Sequence, residues 1–185
     1  APCRSEIRQR LNVNSPHQVL VSETEIFQRM AMLADEIVSA RVKPDMAAVV
    51  LVGGFMFAAD LLRALSRRGL NLPAEFFWLR SYAGGREGAR DISVMIGPSA
   101  RVRGQNVLLL DGILDRGRTL AKATELLLDQ GAVSVTSAVM VERARADAEL
   151  RADYAAFTGL DGFLIGYGMD DAGHHRGLPY IARVD

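Results

Sequence analysis

Apolar positions in this chain alternate between a helical rhythm and short continuous runs. Ile26, Met30, Leu33 and Ile37 recur at helical spacing behind Ser22-Glu-Thr-Glu25. That tetrapeptide has the form of a capping box, in which a serine and a glutamate satisfy the free amides of a helix start. The spacing predicts a helix to about Ala40, closed off by Pro44. Ala47–Val52 is a continuously apolar, β-branched run, as expected of a strand buried on both faces. Gly53-Gly54 interrupts it, and a helix is predicted from Phe55 to Arg68, stopping at Gly69. Further strands are predicted at Phe76–Leu79, Val107–Leu110, Val133–Val141, Phe163–Ile165 and Ile181–Val184, with a helix from Arg118 to Gln130. Between them Tyr82–Ala100 is glycine-rich at its start and alternates only over Ile92–Ile96. It reads as a long mobile excursion or a short hairpin, and excursions of that length are usually functional or disordered. Strands alternating with helices imply right-handed crossovers and a mostly parallel, twisted sheet flanked by helices, an α/β fold. No internal repeat, low-complexity tract or linker divides residues 1–185, so one domain is expected.

Charge narrows the partners. The 22 basic and 22 acidic side chains cancel, which argues against nucleic acid or a membrane surface, since those partners demand a net basic field. A net charge near zero leaves little repulsion against self-association, so a homodimer or homotetramer is expected. Cys3 is the single cysteine, which points to a reducing compartment. No apolar run approaches the roughly 20 residues of a membrane helix, and the opening residues lack an apolar leader core. The cytoplasm is the expected location.

The chemistry concentrates in Val107-Leu-Leu-Leu-Asp-Gly-Ile-Leu-Asp-Arg-Gly-Arg-Thr-Leu120. A buried strand delivers Asp111 and Asp115 to the carboxyl edge of the sheet, where ligands bind in open α/β folds. The chain, read as a loop over Asp111–Gly117, then turns into a helix whose first amides are unpaired. Those amides, the helix dipole and the Thr119 hydroxyl make an anion site. Acids before the turn and amides within it suit a ligand with hydroxyls or a metal at one end and a phosphate at the other. The plainer alternative is that Asp115 caps the helix and Gly117 eases a turn. A dinucleotide fingerprint is absent, and Gly53-Gly-Phe-Met-Phe-Ala lacks the lysine of a P-loop. His174-His175 and Arg101-Val-Arg103 read as solvated surface.

The stretch ending Asp115-Arg-Gly-Arg-Thr119 resembles the motif with which type I phosphoribosyltransferases bind PRPP (5-phosphoribosyl 1-diphosphate). Four further segments are similar to the hypoxanthine-guanine branch of that family: Leu51–Leu62 with its glycine pair, Ser81-Tyr82 at the start of a flexible loop, Asp153–Phe157, and Phe163–Asp170 followed by Arg176-Gly-Leu-Pro179. The resemblance implies the type I phosphoribosyltransferase fold, with a lid at about 81–100, carrying Ser81 and Tyr82, and a small C-terminal hood at about 153–185. It implies a purine salvage reaction: PRPP plus hypoxanthine or guanine gives IMP or GMP plus pyrophosphate, with Mg²⁺. Asp115 would lie near N7 of the purine as general acid/base. Arg116, Gly117, Arg118 and Thr119 would cradle the 5′-phosphate, and Asp111 would hold the ribose hydroxyls directly or through the metal. The Val52–Gly53 peptide, where the family often has a cis bond, would meet pyrophosphate together with Arg176. Phe163 would stack on the base, and the backbone around Leu164 and Asp170 would read its edge. Asp170 would also be a second metal contact.

The sequence departs from this pattern in three places. Gly112 stands where most members carry a second acid, and loss of one charge-assisted bond corresponds to roughly tenfold to a hundredfold weaker PRPP binding. Arg116 replaces a small or acidic residue. At Val141-Glu-Arg143, where active members present a lysine to the purine 6-oxo group, two registers are open. In one Arg143 takes the lysine's place; in the other Glu142 faces the base and favours an amino group. A divergent paralogue that binds a nucleotide as a regulator, or uses another base, is the alternative function.

Overall fold

The computed structural model describes residues 17–82, 91–143 and 150–184. The chain runs β1 (His17–Val21), α1 (Glu23–Val38), β2 (Met46–Leu51), α2 (Phe55–Ser66), β3 (Ala74–Tyr82), β4 (Asp91–Ile96), β5 (Asn106–Leu114), α3 (Arg118–Asp129), β6 (Ser134–Glu142), β7 (Tyr154–Thr158), β8 (Phe163–Ile165) and β9 (Ile181–Val184). Six strands form one sheet in the order β4-β3-β2-β5-β6-β7. All neighbours are parallel except β3 and β4. A second, three-stranded antiparallel sheet has the order β1-β9-β8.

Alternation along the central strands assigns each residue to a layer, because successive side chains of a strand point to opposite faces. Ala47 and Val49 pack with Ile26, Leu33, Phe57 and Leu61 under α1 and α2. Ala48 and Val50 pack with Leu120, Ala123 and Leu127 under α3. The capping box forms as expected: the Glu25 N–H donates to Ser22 Oγ, and the Ser22 N–H donates to Glu25 Oε2 at 2.8 Å. Among the described residues no helix is long and apolar enough to cross a membrane.

The observed elements differ from expectation in three places that bear on function. β5 does not stop at Leu110 but continues to Leu114, because β6 keeps pairing with it through Asp111↔Val139 and Leu114↔Glu142. Asp111 therefore belongs to a strand and not to a loop. Tyr154–Thr158, expected in the hood, is the edge strand of the main sheet beside β6. The hood sheet instead recruits β1, an unexpected strand that pairs with β9. Part of the lid expected at 81–100, namely residues 83–90 and the side chains of Ser81 and Tyr82, lies outside the described residues. What flanks it is a hairpin, with Tyr82 opposite Asp91.

Candidate active site

The carboxyl ends of β2, β5 and β6 and the hood converge on one edge of the main sheet. Asp111 is buried in β5, with 7 % of its surface exposed. One carboxylate oxygen accepts the Gly112 N–H at 2.7 Å. Burial pushes its pKa up to about 7, against the lowering effect of that single bond, since removing a carboxylate from water disfavours its charged form.

Beyond Leu114 the chain leaves the sheet, and Asp115 projects partly exposed. α3 begins after Gly117, which holds φ +83° and offers no side-chain cap. Asp115 is thus not the helix cap, and the first amides of α3 stay available for an anion. Gly117 is required twice over: its φ is in the left-handed region, and a Cβ there would lie 2.9 Å from Leu150 Cβ. Arg116 and Arg118 flank it as exposed cations, with Thr119 half-buried behind them.

At the end of β6 the Arg143 and Glu142 side chains take different directions. The Arg143 N–H donates to the Leu114 carbonyl at 3.0 Å, tying the ends of β5 and β6 together. The Arg143 guanidinium turns toward Asp115, with Nη1 3.6 Å from Oδ1. Its Nη2 donates to the Gly162 carbonyl, next to Phe163, and its Nε–H is buried without an acceptor. Glu142 faces the other way. Its carboxylate accepts from Arg151 Nη1 at 2.7 Å and from the Ala152 N–H at 3.2 Å.

The turn after β2 carries a cis peptide at Leu51–Val52. The expected position was Val52–Gly53, one bond later; strand pairing ends at Leu51, opposite Trp78, and the backbone turns there. Gly54 is forced by close packing, since a Cβ would lie 2.8 Å from the Val50 carbonyl and 3.2 Å from Asp111 Cα.

In the hood, Phe163 presents a 54 % exposed ring while Leu164 beside it is buried. Arg176 Nη2 pairs with Asp170 Oδ1 at 2.7 Å, and Nη1 donates to the Gly168 carbonyl at 2.6 Å. The other Asp170 oxygen accepts the Gly173 N–H at 2.7 Å. Tyr167 fastens the hood to α2 by donating to Asp60 Oδ2 at 2.6 Å, and burial holds its hydroxyl pKa above the usual range. A groove of about 430 Å³, lined by Asp60 and Tyr167 themselves, runs between α1, α2 and Leu178. His174 and His175 are exposed, with the His175 ring edge-on to His17 at 5.1 Å.

Asp115, Arg143 and the Gly162–Phe163 segment thus meet at one end of the site. Asp111, the Val52–Gly54 turn and the hood segment with Gly168, Asp170 and Arg176 meet at the other. Three participants were not anticipated: the Gly162 carbonyl that holds Arg143, Leu150 packed on Gly117, and Gly168 beside the turn. Only the glycine spacing Gly162, Gly166, Gly168 hinted at them, and only as backbone permissiveness.

Residues 20–172 match the phosphoribosyl transferase domain family, so the chain belongs to the phosphoribosyltransferases, of type I. The hypoxanthine phosphoribosyltransferase of Escherichia coli K12 is 32 % identical over 172 residues, covering 90 % of this chain and 94 % of that protein. A hypoxanthine phosphoribosyltransferase from Trypanosoma cruzi, solved in complex with the product IMP, superimposes with a TM-score of 0.80 at 28 % identity, covering 91 % of this chain and 94 % of that one. A second T. cruzi structure, from work on how the C-terminal region affects oligomeric state and activity, gives a TM-score of 0.80 at 27 % identity, covering 91 % of each chain. Within the family the chain falls in the hypoxanthine-guanine branch.

Proposed function

We propose that this enzyme transfers the 5-phosphoribosyl group of PRPP to hypoxanthine or guanine, giving IMP or GMP and pyrophosphate. The observation that carries the base assignment is the orientation of Arg143, whose guanidinium lies between Asp115 and the Gly162 carbonyl with a buried, unsatisfied Nε–H. A guanidinium carries donors and no acceptor, so a 6-oxopurine presents the matching group and a 6-aminopurine presents hydrogens to it instead. With Phe163 stacked on the ring, and the backbone at Leu164 and Asp170 reading its edge, N7 faces Asp115. As N9 bonds to C1 of the ribose, the C1–oxygen bond to pyrophosphate breaks. The ring becomes cationic, and Asp115 accepts the N7 proton as general base.

The amides of Arg116–Thr119, leading into the start of α3, hold the 5′-phosphate, and the Arg118 side chain adds charge. Asp111 receives the ribose hydroxyls. The Val52–Gly53 turn and Arg176 receive pyrophosphate, so Arg176 exchanges or shares its contact with Asp170 when substrate enters.

Among the described residues no three carboxylates, histidines or cysteines cluster to form a protein cage for a metal. Mg²⁺ is commonly held by one or two carboxylates plus substrate phosphates and water. The hard oxygens of Asp111 and Asp170 would hold it, and a cation beside Asp111 would offset the burial that raises its pKa. When bound, Mg²⁺ neutralises charge on the pyrophosphate leaving group. The protein works in the cytoplasm as a homodimer or homotetramer, a reading supported by its single cysteine and balanced charge.

Radiolabelled hypoxanthine, guanine, xanthine and adenine, each incubated with PRPP and Mg²⁺, test the assignment. Label should appear in IMP and GMP; no turnover of any of the four overturns the enzyme reading.

A further inference from the structure

Gly112 marks the main departure of the PRPP loop, and the simplest account is a lost carboxylate. The geometry around it indicates a different arrangement. A Cβ on Gly112 would lie 2.6 Å from the Gly53 carbonyl oxygen and 2.9 Å from its carbon. Real Cβ atoms do not approach that closely, and the obstacle is backbone, which cannot swing aside as a side chain can. A Cβ on Gly168 of the hood would collide with the same oxygen, and Gly168 holds φ +97°. The Gly53 carbonyl therefore occupies a slot whose two walls are glycines, one on β5 and one on the hood.

The orientation of that carbonyl is imposed from its other side. It shares a peptide plane with the Gly54 N–H, which donates to the Val50 carbonyl at 3.2 Å. In a trans peptide the C=O and N–H point in opposite directions. Tying the N–H back onto β2 thus aims the Gly53 oxygen at Gly112 and Gly168. The Gly168 carbonyl in turn accepts from Arg176 Nη1, whose other end pairs with Asp170. An unbroken contact path joins Asp111–Gly112, the turn, the hood and Arg176.

We infer that Gly112 and Gly168 are positioning residues for the pyrophosphate end of the site, the absent acid being replaced by room for the Gly53 carbonyl. This rests on the proposed role of the Val52–Gly53 turn. Restoring an acid at position 112 then harms the enzyme, because the side chain must evict the turn from its slot. A simple lost-carboxylate account requires the opposite sign.

The test measures KM for PRPP and for hypoxanthine, together with calorimetric titration of magnesium pyrophosphate, for wild type, Gly112→Ala, Gly112→Asp and Gly168→Ala. Expected is a rise of about tenfold to a hundredfold in KM for PRPP and in the pyrophosphate dissociation constant for both Gly112 variants, as for a displaced binding element. KM for hypoxanthine should stay within about twofold, since the Arg143 end is untouched. Gly177→Ala, at a hood glycine with open space around its Cβ position and no positive φ, should match wild type throughout. Tighter PRPP or pyrophosphate binding by Gly112→Asp, or values within about twofold of wild type for Gly112→Ala, overturns the inference. If the Gly112 variants do not fold, Gly168→Ala decides: it must weaken pyrophosphate while sparing hypoxanthine, and the reverse pattern overturns the inference. Wild type that binds pyrophosphate but turns over no purine defeats the proposed reaction, while the calorimetric comparison still reads the positioning role.

Discussion

Replacing Arg143 by methionine removes the guanidinium but keeps a side chain of similar length. Three contacts go with it. The pair with Asp115 spans 3.6 Å, and Asp115 is 38 % exposed, so solvent screening leaves it worth only a few tenths of a kcal/mol. The bond to the Gly162 carbonyl fixes the side chain and contributes about 1 kcal/mol, mostly to stability of the hood contact. The proposed bond to the 6-oxo group of the base involves a side chain that is only 18 % exposed. A hydrogen bond from a charged donor in that setting is worth roughly 1.5–3 kcal/mol. At about 1.4 kcal/mol per tenfold, kcat/KM for hypoxanthine and guanine should fall about 10- to 150-fold. Adenine, with no acceptor at C6, should lose far less, so the oxopurine preference narrows by a similar factor. Steady-state kinetics with all three bases at saturating PRPP measure both quantities. A hypoxanthine kcat/KM within about twofold of wild type, or an unchanged hypoxanthine-to-adenine ratio, would refute the placement of Arg143 against the base.

Asp115→Asn keeps the shape but cannot accept the N7 proton; kcat should fall about 10²- to 10⁴-fold while IMP affinity by calorimetry changes only a few-fold. An active Asp115→Asn enzyme means the proton goes elsewhere. Asp111 predicts a pH effect. Burial pushes its folded pKa up to about 7, well above the ordinary aspartate value of about 3.8, so its contribution to folding stability is full below about pH 4 and is lost as pH rises to about 7. In metal-free protein, Asp111→Asn should therefore gain stability relative to wild type between pH 5 and 8, by a few kcal/mol at most; urea midpoints across that range check the sign, and a pH-independent difference contradicts it. Tyr167→Phe removes the 2.6 Å bond to Asp60 and should cost about 1–2 kcal/mol, read as a lowered thermal midpoint; an unchanged midpoint means the bond does not hold the hood.

The layers were legible because their signals are local. Ser22 and Glu25 cap α1 from three residues apart, and the β-branched run of β2 needs no partner to be recognised. The continuation of β5 through Asp111 was not legible, because an aspartate followed by glycine ordinarily ends a strand; only the paired backbone of β6 carries it further. β1 was missed for the same kind of reason. Gln18 and Val19 are exposed, and its pairing partner β9 is at the other end of the described chain. At the site, residue types pointed to the phosphate loop. The directions of Arg143 and Glu142 depended on strand parity at one position, which shows only in the bonds of Arg143 to Leu114 and Gly162. Gly112 looked like a lost carboxylate because a sequence cannot display a carbonyl from the turn after β2 filling the space.

The pairing of β1 with β9 also bears on synthesis at the ribosome. Arg183 Nη2 reaches Gln18 Oε1 at 2.6 Å across 165 positions of chain, and β9 is the central strand of the hood sheet. At typical elongation rates β1 emerges on the order of ten to thirty seconds before its partner. The loop from Asp115 to Gly117 joins β5 to α3, which are contiguous in the chain, whereas the hood sheet closes only once β9 meets a strand made some 165 positions earlier.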